Sequence, residues 1–105
     1  MLPNNRIATH PGEILREEFL QPMRLSQADL ARALKIPTNR VNELIRGKRG
    51  VTPATALLLA AYFGNSAEFW MNLQTAHDLT RARREMRKRA VKAVAGRTRG
   101  AVGAD

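Results

Sequence analysis

The sequence predicts an all-α fold of five helices. Three observations predict it: no stretch sustains period-two alternation, apolar positions recur at helical spacing, and residues that start or stop helices bracket the apolar runs. At 105 residues the chain suits one small domain with an appendage, and 44% apolar residues suffice for a helical core although aromatics are only 5%.

Each element has its own justification. In "PGEILREEFLQ", Pro11 suits a first helical turn and Glu13, Glu17 and Glu18 lie towards the favourable end of the helix dipole. Ile14, Leu15 and Phe19 supply its buried side, and Pro22 is expected to end it. Ser26 is a good N-cap for a second helix, "QADLARAL", with Leu30, Ala31 and Leu34 facing inward. Lys35, Ile36 and Pro37 form a tight connection. A third helix starts at Pro37 or Thr38, carries Val41, Leu44 and Ile45 as apolar positions, and runs to Arg46, where Gly47 stops it. Thr52 caps a fourth helix with Pro53 at its first position, and Gly64 closes it. Ser66 caps a fifth, from Ala67 to around Arg89, and Gly96, Gly100 and Gly103 predict a disordered extreme C-terminus. The expected organisation is an N-terminal extension (1–9), a helical domain (10–80), and a basic helix extension with a flexible tail (81–105).

The fourth helix has almost no polar face. Leu57, Ala60 and Phe63 are expected to serve the core, which leaves Leu58, Ala61 and Tyr62 pointing elsewhere. A helix that is apolar all round needs cover on more than one side. A second copy of the chain is the economical cover, with Phe69, Trp70 and Leu73 joining the same dimer surface. The alternative is that the fifth helix folds over the fourth within one monomer.

Charge and residue types exclude several function classes. Residues 81–105 carry +7 of the formal +9, against +2 for residues 1–80, so the basicity lies outside the expected core and favours anionic partners. With no cysteine, neither a disulfide framework nor a thiolate metal site is available. His10 and His77 have no metal-ligand spacing, and Glu17 and Glu18 diverge as adjacent helix residues. No nucleophile elbow or phosphate-cradling glycine loop is present, so no catalytic residue, metal or cofactor is expected. The start, "MLPNNRIATHPGE", lacks a signal-like apolar segment, and the run Ala56 to Phe63 is too short to cross a bilayer. The expectation is a cytoplasmic protein without a membrane partner.

Between residues 26 and 49, two short helices joined by about three residues have the spacing of a helix-turn-helix unit. Gln27 stands at the N-terminus of its first helix, where backbone N–H groups and the dipole favour a phosphate. Ala31 is small where the two helices must cross. Thr38, Asn39, Asn42, Glu43 and Arg46 lie away from the Val41–Leu44 side of the next helix. Asn can pair bidentately with adenine and Glu can accept from cytosine N4 in a major groove. Thr38, Asn39, Asn42 and Glu43 are therefore expected to face bases. Gln27, Arg40, Arg46, Lys48 and Arg49 are expected to bind phosphates, which set register rather than sequence. Singly, each of these residues also reads as an ordinary solvated or helix-ending side chain; the constellation points to DNA.

The stretches "HPGEILREEFL", "LSQADLARALKIPTNRVNELIRGKRGVT", "TALLLAAYFGNSAEFWMNLQ" and "HDL" resemble, in this order, the HigA (VapI-type) antitoxins of the Xre/Cro class. The resemblance spans roughly residues 9 to 80. It implies a five-helix Xre/lambda-repressor-like domain and operator DNA binding as a symmetric homodimer. It also implies repression of the protein's own operon and neutralisation of a RelE-like (HigB-type) mRNA-cleaving toxin. By position it assigns Gln27 to phosphate anchoring, Thr38, Asn39 and Glu43 to bases, and Arg46 and Lys48 to the backbone. Lys35 departs from the glycine frequent in the turn, at a cost of roughly 1 kcal/mol if its backbone is left-handed. The basic tail departs further, since such tails are often acidic and RelE-like toxins basic. Either a toxin docks on another surface or the tail is an additional phosphate-binding arm, with a solvated helix end and an RNA-binding segment as alternatives. A solitary Xre-type regulator without a toxin, or an interaction module that has lost DNA binding, are the rival readings of the whole.

Overall fold

The structure is a computed structural model that describes residues 6–96, with side chains for residues 6–90. Among the described residues there are five helices and no strand. Helix α1 covers residues 11–23 in three continuous segments, α-helical Pro11–Ile14, π-helical Leu15–Leu20 and α-helical Gln21–Met23. It is followed by α2 (Gln27–Leu34), α3 (Thr38–Ile45), α4 (Pro53–Phe63) and α5 (Ala67–Gly96).

Pro22 does not end α1, contrary to the sequence expectation. Proline lacks an N–H and its ring crowds the carbonyl four residues back. The π register ahead of it widens the turn and sends the Gln21 N–H to the Arg16 carbonyl, five residues back. The helix stops instead at Arg24, which is left-handed (φ 55°), and the Leu25 N–H closes the end on the Leu20 carbonyl at 2.9 Å. Lys35 is left-handed as well (φ 59°), so the helix-turn-helix connection carries the conformation whose cost the sequence raised. The expected caps are in place: Ser26 on Asp29, Thr52 on Thr55, and Ser66 on Phe69 each accept a backbone N–H.

The core gathers Leu15 and Leu20 of α1, Leu30, Ala31 and Leu34 of α2, and Val41 and Leu44 of α3. Val51, Ala56, Leu59 and Trp70 complete it. Two expectations need correction here. Trp70, expected at a dimer surface, is fully buried in the monomer core. Its ring meets Phe19, Phe69 and Phe63 at centroid distances of 5.1, 5.0 and 6.2 Å, and its indole N–H donates to Asn65 Oδ1 at 2.9 Å. Leu73 packs partly buried against the same core. Leu57, expected in the core, is 64% exposed. The inward side of α4 is Ala56, Leu59, Ala60 and Phe63, whose spacing places them on one helical face against α5. Leu57, Leu58, Ala61, Tyr62 and Phe69 remain outward and exposed.

Helix α5 continues past Arg89 to Gly96, and residues 81–90 are exposed throughout. The expected flexible tail lies outside the described residues. No helix among the described residues is long and apolar enough to cross a membrane.

The N-terminal segment is fastened to α5. The Ala8 N–H donates to Thr80 Oγ1 at 2.8 Å, and the His77 ring nitrogen Nδ1 lies 2.8 Å from the Ala8 carbonyl. His77 also meets His10 edge-on at 4.9 Å, which makes it a packing residue rather than a surface one. His10 caps α1 by accepting the Gly12 N–H on Nδ1 at 2.9 Å, which requires that nitrogen to be unprotonated. Burial and then the His77 charge lower the His10 pKa from 6.5; Asp78 opposes them, ahead of a further lowering by Arg81 and an opposing hydrogen bond with the Arg49 backbone. A histidine held neutral contributes stability that is full above its unfolded pKa and lost as pH falls from there through the lowered folded value. The thermal midpoint is therefore expected to fall as pH drops below the unfolded value of about 6.5. His10→Asn, which keeps a capping acceptor, should flatten that slope; an unchanged slope by thermal circular dichroism would assign the pH dependence elsewhere.

Candidate nucleic-acid interface

Helices α2 and α3 pack closely through Ala31 and Leu34 on one side and Val41 and Leu44 on the other, so the opposite side of α3 is left outward. Asn39, Asn42, Glu43 and Arg46 share that side at i, i+3, i+4 and i+7. Thr38, Asn39, Arg46 and Lys48 are exposed, while Asn42 and Glu43 are half-buried. Arg40 is exposed but lies off this row, on the flank next to Leu44.

The start of α2 is rigid. Ser26 and Asp29 form a reciprocal cap at 2.9 and 3.2 Å, and Arg32 pairs with Asp29 at 2.6 Å. Hydrogen bonds to the Asp29 carboxylate from the Ser26 side chain and backbone N–H, ahead of the Arg32 charge, lower the Asp29 pKa. Gln27 is joined across the two helices to Asn42, whose Nδ2 donates to Gln27 Oε1 at 3.1 Å. This bond spends the Gln27 acceptor and leaves its amide donors for an anion at the helix start. It also fixes the Asn42 amide, which keeps a second N–H and Oδ1, the donor–acceptor pair that adenine matches.

Two residues given separate roles in the sequence are brought together. Arg49 donates from Nε and Nη2 to Glu43 Oε1 at 3.0 and 2.8 Å. The pair straps the loop onto α3 and offsets the Glu43 charge, which would otherwise repel a polyanion. Glu43 Oε2 is left as an acceptor, whereas the Arg49 guanidinium is partly committed within the protein. Arg46 and Lys48 stay outward beside it.

Several supporting residues escaped sequence reasoning. Gly12 is buried, and a Cβ there would lie 1.8 Å from the Leu44 carbonyl oxygen, so the start of α1 touches the end of α3 directly. Gln74 of α5 reaches the far end of the loop, where its Oε1 accepts the Val51 N–H at 2.7 Å and its Nε2 donates to Asp78 at 2.9 Å. Gly50 leaves room for that side chain, since a Cβ would lie 2.9 Å from Gln74 Cδ. A glutamine on a polar helix face carries no sequence signal for such a role. Arg16 and Arg24 escaped notice too; they line a shallow cleft of about 420 Å³ beside Ser26 and Gln27 and add positive charge there. Gln74→Leu leaves the Val51 N–H buried without an acceptor. The expected loss is about 1–3 kcal/mol, read by urea denaturation; a change below about 0.5 kcal/mol would show that the loop is held by other means.

With this geometry in view, the relatives are informative. Residues 15–70 match the helix-turn-helix family. The chain is 52% identical over 82 residues to Virulence-associated protein I of Dichelobacter nodosus, covering 78% of this chain and 76% of that protein. It is 44% identical over 80 residues to antitoxin HigA-1 of Vibrio cholerae, covering 75% and 74% of the two chains. Among solved structures, Pseudomonas aeruginosa antitoxin HigA with the higBA promoter superposes with a TM-score of 0.76 at 44% identity, covering 82% of this chain and 94% of that one. The chain belongs to the Xre-type helix-turn-helix family, in the branch that holds the HigA and VapI-type antitoxins. This is a family of DNA-binding proteins rather than of enzymes.

Proposed function

We propose that the protein is a cytoplasmic antitoxin that binds operator DNA as a homodimer, represses its own operon and neutralises a RelE-like mRNA-cleaving toxin. The observation that carries the DNA part is the outward row Asn39, Asn42, Glu43 and Arg46, with Asn42 already oriented by Gln27. In this reading Thr38, Asn39, Asn42 and Glu43 address base edges. Gln27, Arg46 and Lys48 hold phosphates, Arg49 acts chiefly as the strap on Glu43, and Arg40 contributes charge from the flank. The likeness to a HigA bound to promoter DNA supports the same orientation of α3. Titration against the region upstream of the protein's own gene should show binding at least about a thousandfold tighter than to scrambled duplex at physiological salt. Equal affinities would overturn the reading.

The dimer proposal rests on the outward face of α4, where Leu57, Leu58 and Tyr62 are 64, 38 and 41% exposed, extended by Ala61 and Phe69. Two-fold symmetry would place two α3 helices in successive major grooves, about 34 Å apart. Leu58→Asp should yield a folded monomer in analytical ultracentrifugation with operator affinity reduced at least about tenfold; a variant that stays dimeric would remove this face from the interface. The toxin part is supported by the kinship with antitoxin HigA-1. Co-expression with a small reading frame next to the gene should relieve its growth arrest and yield a stable complex, and an untouched arrest would leave a regulator without a toxin.

A further inference from the structure

The DNA-binding reading leaves the outer part of α5 unused. Residues 81–90 are all exposed and hold six basic side chains and one acidic one, Glu85. Arg83 with Arg87 and Arg84 with Lys88 are like-charge pairs at i, i+4 spacing, which disfavour a helix, while Glu85 offsets Arg81 and Arg89 at the same spacing. The orientation of this part of α5, however, is set by the domain. Gln74, His77, Arg81, Arg84 and Lys88 follow one another at spacings of 3, 4, 3 and 4, so they occupy one side of α5. The first two of these residues face the end of the helix-turn-helix loop: Gln74 holds the Val51 N–H, and His77 meets edge-on His10, which lies against Gly47. The side of the helix that meets the loop carrying Lys48 and Arg49 thus continues outward as a row of cations. Asp78 and Glu85 flank it, and Asp78 is only 3.8 Å from Arg81 in an exposed pair worth little.

We propose that Arg81, Arg84 and Lys88 form a second phosphate-binding stripe, which continues the contact made by the loop onto the duplex flanking each operator half-site. The proposal rests on the DNA-binding reading above. The stripe spans about 10 Å along the helix, at 1.5 Å per residue, comparable with three base-pair steps of one strand. Phosphates there would neutralise the repulsion within the helix, and the contact would carry no base preference. Duplex DNA is favoured over RNA or an acidic protein surface because the stripe is continuous with the loop beside α3.

The full-length chain with R84Q and K88Q is to be compared with a matched pair from the other side of the helix, R83Q and R87Q. Both are titrated with operator duplex trimmed to the half-sites and with duplex bearing about ten further base pairs on each side. All four positions lie outside the core, and thermal midpoints verify folding. On the long duplex, R84Q/K88Q should reduce the slope of log affinity against log salt by about one to two for each protomer, leave base preference intact, and bind the trimmed duplex as the wild type does. R83Q/R87Q should have less than half that effect. Equal effects of the two pairs, no effect of either, or a loss confined to a structured RNA competitor would overturn the stripe. Failure of the wild-type chain to select its operator would instead sink the DNA-binding reading, and the stripe with it.

Discussion

Gly12→Ala is expected to destabilise the domain by about 3 kcal/mol or more, at the upper end of overpacking effects. The reason is geometric. The added methyl would lie 1.8 Å from the Leu44 carbonyl oxygen and 2.7 Å from its carbon, both of them backbone atoms. No rotamer change relieves such a clash; α1 must move away from α3. The buried leucines on both helices resist that motion, and α3 is the helix that carries Asn39 and Arg46. Operator affinity should therefore fall even at temperatures where the variant remains folded. The thermal midpoint should drop by more than about 12 °C, and a wild-type midpoint would show that the α1–α3 contact is looser than described.

Trp70→Ala is expected to cost about 3–5 kcal/mol, the range for emptying a large aromatic site. It removes a fully buried ring against Phe19, Phe63 and Phe69, together with the bond to Asn65. Trp70→Phe keeps most of the packing, and Asn65 is exposed and can turn to water, so its cost should be far smaller. The comparison also tests the corrected role of this residue. A dimer-surface tryptophan would give folded monomers on truncation, whereas a core tryptophan gives unfolding. Chemical denaturation at several protein concentrations separates the two outcomes.

Much of the fold was legible because local signals and the final structure agree. Ser26, Thr52 and Ser66 cap the helices they were expected to cap, and Gly47 and Gly64 end theirs in left-handed conformation. The errors arose where tertiary context overrode a local rule. Pro22 stays inside α1 because an adjoining π segment accommodates it. On α4, nearly every residue is apolar, so periodicity could not tell Leu57 from Leu59, and the packing partner decided the face. Trp70 looked like a surface aromatic only because the ring cluster that encloses it comes from three different helices. The outward row of α3 was readable from spacing alone. Its supports were not: the Gln27–Asn42 bond, the Gly12 contact and the Gln74 bridge join residues far apart in sequence, and the Glu43–Arg49 strap depends on how the loop after Gly47 folds back onto α3.

The most direct measurement is the affinity of the wild type, Asn39→Ala and Arg46→Ala for every single base-pair variant of the operator. Asn39→Ala should erase about 1–3 kcal/mol of discrimination at one position in each half-site, while Arg46→Ala should weaken binding to all variants alike. If the preferred sequence and its discrimination survive Asn39→Ala at every position, Asn39 is not in the groove and the base-reading assignment of α3 fails.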